Sequence, residues 1–109
     1  MAQSFSQELG AEDIAFKADV HRETAKAFML FIKDFSENSA NSIRDTFPNV
    51  SPAERDEMED TFAMLGALKE KAVWLPKSKT AQVGRNEGDA VFTAPIWLLK
   101  AKAEETGDF

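Results

Sequence analysis

The sequence predicts a mostly α fold, a small helical bundle in a single domain spanning residues 1–109. Three observations carry that expectation. Apolar and small residues recur at spacings of three and four from Phe16 to Phe47. Ser51-Pro52-Ala53-Glu54 is a helix-start signal followed by a second stripe, Met58, Thr61, Phe62, Leu65, Leu68 and Ala72. Pro95 opens a third apolar stretch that ends in basic residues. Each pattern matches the 3.6-residue period of a buried helix face.

Ser4-Phe5-Ser6-Gln7 fits a capping box, so a short helix can occupy 4–9, stopped by Gly10. The first long helix is expected over about 11–46. Glu12 and Asp13 suit its positive N-terminal end. Its stripe is Phe16, Val20, Thr24, Ala27, Phe28, Phe31, Ile32 and Phe35. The centre is the run Ala27-Phe28-Met29-Leu30-Phe31-Ile32. With Phe28 as the zero direction, Phe31, Ile32 and Phe35 fall within roughly 60° of it and Leu30 points roughly 160° away. Either other elements cover this helix on several sides, or Met29 and Leu30 meet another chain. Residues 36–42 have weak helix propensity. A kink there, or a break followed by a short helix at 40–46, are the two options. Pro48 ends the element in either case.

The second helix is expected over about 52–73. Ser51 is its N-cap, Pro52 its first residue and Glu54 closes a capping box. Pro76 terminates it. Residues 76–93 are polar and contain Gly84 and Gly88. They read as irregular, or as a weak hairpin of Thr80–Val83 and Ala90–Thr93 around the two glycines. The third helix is expected over about 95–105, with Ile96, Leu99 and Ala103 as its stripe and Gly107 as its stop.

Composition narrows the function. The chain has no Cys and one His, which removes disulfides, thiol chemistry and zinc-finger ligation. No apolar run approaches the 18 residues of a membrane span. The N-terminus lacks a signal-peptide pattern, so a cytoplasmic location is expected. The net charge of −6 opposes direct binding to nucleic acid over a large surface. No nucleophile motif, phosphate loop or calcium loop appears, so no enzyme activity, metal or cofactor is expected.

Four groups of residues are candidates for contact with other molecules. Glu54, Asp56, Glu57, Glu59 and Asp60 form an acidic run, interrupted by Arg55 and Met58, that could dock a basic partner or simply favour the helix dipole. Lys77, Lys79 and Arg85 form a local basic cluster in the 76–93 segment. Met29, Leu30, Trp97 and Leu98 are apolar residues in excess of a simple stripe, and candidates for self-association. His21 lies near the apolar face, where a hydrogen-bonded structural histidine is the expectation. The C-terminal Glu104–Phe109 is slightly similar to the acidic, Phe-tipped tails by which single-stranded-DNA-binding proteins recruit partners, and a frayed end explains it as well.

The expected function is therefore that of a small acidic binding protein. A regulator, adaptor or phage-type inhibitor would dock on a larger protein or complex with a basic surface, such as a nucleic-acid-binding site. The alternative is a self-associating, dimeric helical structural or assembly protein.

Overall fold

The computed structural model describes residues 4–105. Residues 106–109 of the C-terminal tail, with Gly107 as a helix stop, lie outside the described residues. The elements in chain order are α1 (Phe5–Gly10), β1 (Asp13–Glu23), β2 (Ala27–Phe35), α2 (Glu37–Thr46), α3 (Pro52–Gly66), β3 (Ala72–Pro76), β4 (Ala81–Asn86), β5 (Asp89–Pro95) and α4 (Ile96–Glu105). The five strands form one antiparallel sheet in the order β3-β2-β1-β5-β4. The mostly α, all-helical expectation is thus overturned: this is an α+β domain.

The largest correction concerns residues 11–46. They are not one helix but a long β-hairpin followed by a separate helix. Burial along β1 and β2 alternates: Ile14, Phe16 and Ala18 are buried on one strand, Leu30 and Ile32 on the other. That is the two-residue period of a strand with one covered face. The hairpin turns on Thr24. Its backbone N–H donates to the Ala27 carbonyl (2.9 Å), and its hydroxyl accepts from the Ala27 and Lys26 N–H groups (3.0 and 3.3 Å). A threonine side chain here replaces the turn glycine that would mark such a reversal in sequence.

Ser36 ends β2 and caps α2 by accepting from Ser39 N–H. Ser39 in turn accepts from the Ala15 N–H (3.0 Å), which ties α2 to β1. The expected 52–73 helix begins where the sequence places it, with Ser51 and Glu54 in a reciprocal capping box. It ends earlier, at Gly66. Glu70 then adopts a left-handed conformation (φ 65°) and donates its N–H to the Ile32 carbonyl (2.7 Å), steering the chain into β3. The hairpin at 76–93 is present, and its strands are longer than the sequence marks: the turn is only Glu87-Gly88, both with positive φ. Two such residues give the turn type that matches strand twist.

One core cluster joins the buried strand face to Leu9, Ile43, Met58, Leu65, Leu68, Ile96, Leu99 and Ala103, so all four helices cover the same face of the sheet. Three strands carry an unmatched residue. Pairing passes from Lys17–Asp34 to Ala18–Ile32, skipping Lys33, and from Val20–Leu30 to Arg22–Met29, skipping His21. On β4 it skips Val83. Such bulges bend and twist the sheet. The bend is large. Phe28 and Phe92 lie opposite Glu23 and Phe16 of β1, positions roughly 20 Å apart in a flat sheet. Their rings nonetheless meet at 5.4 Å. The hairpin therefore curls over the covered face, leaving an outer face without a helix. The bulged β4 and the Pro-terminated β3 are the sheet edges, and both features discourage edge pairing.

Candidate functional site

The helical layer carries a groove between α1, α3 and α4. Its formation follows from a close contact: a Cβ on Gly10 would stand 3.3 Å from the Trp97 Cβ. Glycine there lets the end of α1 rest on the start of α4. The hydroxyl of Ser6 donates to Glu57, linking α1 to α3 across one end. Leu9, Ala11, Ile96, Trp97 and Ala101 supply an apolar lining to a cavity of about 410 Å³. Trp97 is 49% exposed, a large apolar side chain left in water.

A second recess of about 550 Å³ continues the first, sharing Glu57, Thr61 and Lys100 with it. Glu54, Asp56, Asp60 and Met64 line this continuation, and Glu104 borders the first recess. The α3 residues at 57, 60, 61 and 64 follow the i, i+3, i+4, i+7 spacing of one helix face. The result is an open trough with an apolar floor and five carboxylates around one lysine. Facing carboxylates at low salt raise the local affinity for cations.

The structure divides the acidic run. Glu57 and Asp60 face the trough. Glu54 lines it while accepting from the Ser51 N–H (2.9 Å). Glu59 turns to the opposite flank and takes a two-point bond from Arg44 (2.7 and 3.0 Å), whose guanidinium also lies 4.7 Å over the Phe62 ring. Arg44 holds the Glu59 carboxyl below the usual range, and Glu59 raises Arg44 in return.

The expected basic cluster is dispersed into separate contacts. Lys77 bonds Glu23 and lies 4.8 Å over the Phe28 ring, while Arg85 donates to the Gly88 carbonyl in the β4–β5 turn. Lys79 is exposed in the turn after β3. The four self-association candidates also separate. Leu30 is 0% exposed and Leu98 7% exposed, so the chain itself covers both. Trp97 belongs to the trough and Met29 to the outer face of the sheet.

That outer face carries side chains that a helical reading assigns elsewhere. Met29 pairs with Trp74, which is 37% exposed. His21, expected as a partly buried structural histidine, is instead exposed and stacked on Phe31 at 5.3 Å and 8°. Lys33 bridges Asp89 (2.8 Å) and Asp19 (3.3 Å), which raise its pKa, and Lys33 holds Asp89 low in turn. Sequence reasoning missed the role of Trp74 and Phe31. For Trp74 the available signal was the short β-branched and aromatic run Val73-Trp74-Leu75, closed by Pro76 and too short for a helix of its own.

Among the described residues, no group of three or more His, Asp or Glu side chains is placed to hold a metal ion, and no helix is long and apolar enough to cross a membrane. The chain matches no protein-family model, no curated protein and no solved structure.

Proposed function

We propose that this chain is a non-enzymatic docking protein that acts through the trough between α1, α3 and α4, where it takes a basic segment of a larger protein. The observation that carries this reading is the half-exposed Trp97 on an apolar floor rimmed by Asp56, Glu57, Asp60 and Glu104. Apolar anchors supply most of the affinity of such interfaces, and charge supplies orientation and approach rate. A cytoplasmic regulator or inhibitor that covers a basic, nucleic-acid-binding surface fits this chemistry.

The test uses two neighbouring residues. Asp60→Lys and Glu59→Lys change the net charge identically, but only Asp60 faces the trough. Capture of partners from the native host should be lost with Asp60→Lys and kept with Glu59→Lys. Equal capture by both variants would overturn the reading.

A second reading, self-association through the outer face of the sheet, is favoured by the exposed Trp74 standing beside the half-buried Met29. Sedimentation of the pure protein tests it, and a monomer at all concentrations up to roughly 100 μM, where weak dimers assemble, would exclude it.

A further inference from the structure

We infer that the segment held in the trough is an α-helix, with an apolar stripe on Trp97 and basic residues on both flanks. This inference rests on the docking reading above and adds the conformation of the partner.

Backbone chemistry supplies the argument. The trough walls are helices, whose N–H and C=O groups are bonded within themselves. No strand edge lines it. An extended segment laid on Trp97 and Ala101 would bury N–H and C=O groups without partners, at a cost for each. A helix satisfies its own backbone and can lie on an apolar floor. The dimensions agree. Residues 53–64 of α3 line the trough, a rise of about 17 Å, which three turns of helix match.

The charges set the pattern. Carboxylates border the floor from two sides, Asp56, Glu57 and Asp60 on α3 and Glu104 on α4. A matching helix has large apolar residues at i, i+3, i+4 and i+7, with Lys or Arg beside the stripe on each flank. A lone helix of three turns is marginal in water, so a disordered partner segment becomes helical as it binds.

The probes are three synthetic peptides of about 15 residues, near the shortest length at which an isolated helix gains stability. One is a Leu/Lys sequence at helical spacing, one its double-proline variant, and one a Leu/Glu counterpart. The full chain carries Trp74→Phe, so its emission reports Trp97 alone. The Leu/Lys peptide should shift that emission to the blue and gain helical circular dichroism. It should bind at least about tenfold more tightly than the proline variant, which cannot complete the helix on binding; tenfold corresponds to about 1.4 kcal/mol. Asp60→Lys should weaken it and Glu59→Lys should not.

Equal binding of the Leu/Lys and proline peptides overturns the helical inference and leaves the basic-segment reading standing. Equal binding of the Leu/Glu peptide, or binding of none of the three, overturns both.

Discussion

Alanine substitutions across 28–33 decide between the two periods that this stretch can follow. In the strand, Leu30 and Ile32 face the core and Met29 and Phe31 face out. Leu30 is fully buried, between Val20 on β1 and Val73 on β3. Leu30→Ala removes that packing and leaves a cavity, at a cost of about 3 kcal/mol. For a domain of this size the melting temperature should fall by roughly 10–20 °C. Met29→Ala and Phe31→Ala should each cost about 1 kcal/mol or less, since their side chains already touch water. Far-UV circular dichroism in a urea titration at low protein concentration reads the difference without relying on Trp74, which neighbours Met29. A helix would reverse the order, because Phe31 would lie on its core face and Leu30 opposite. A larger loss at Phe31 than at Leu30 would refute the strand assignment and the core built on it.

Arg44 depresses the Glu59 pKa, so the native state binds that proton less readily than the unfolded chain. The pair's stabilisation is therefore present above about pH 4.3, the ordinary glutamate value, and fades as pH falls through the lower folded value. Glu59 is half-exposed, so the contribution is at most about 1 kcal/mol after solvent screening. Melting temperature against pH should drop less steeply below pH ~4 in Glu59→Gln than in the wild type. Ser51→Ala removes the acceptor for the Glu54 N–H and should cost about 1 kcal/mol, read as a lower urea midpoint with an unchanged slope.

The parts of the fold legible in the sequence are those fixed by local chemistry. Ser4 with Gln7, and Ser51 with Glu54, cap α1 and α3 as their spacing implies. Pro95 immediately precedes α4. What the sequence hides is set by tertiary contacts. The hairpin turn at Thr24 has no glycine, and the left-handed residue before β3 is Glu70. Both positions are usually marked by Gly or Asn. Leu65, Leu68 and Ala72 also continue a helical spacing across the real end of α3. The acidic run was legible as chemistry but not as a surface. At about 100° per residue, Glu59 and Asp60 point to different neighbours, and only the packing of α2 and α4 shows which carboxylate stays free of Arg44.

The bulges explain why β2 passes for a helix. A separation of four keeps two residues on one face in a helix and in a strand alike. A separation of three is diagnostic of a helix unless a residue is inserted. Phe28, Ile32 and Phe35 show four and then three, and the inserted residue is Lys33, which is skipped in the strand pairing with β1. The bulge thus lets Phe35 reach Phe16 on the core side, with ring centroids 5.7 Å apart. Deleting Lys33 should bring Asp34 directly after Ile32, in line with their partners Lys17 and Ala18. The variant should fold with the same sheet. It loses the exposed Lys33 bridges to Asp19 and Asp89 and some twist. Deleting Phe31 instead removes a paired residue. Every side chain on one side of the gap then changes face, which places Leu30 or Ile32 in water. Cooperative unfolding of the Lys33 deletion, together with failure of the Phe31 deletion to fold, is the expected result. If the Lys33 deletion also fails, the extra residue is needed for the sheet to close over its helices, and the bulge is part of the core's geometry.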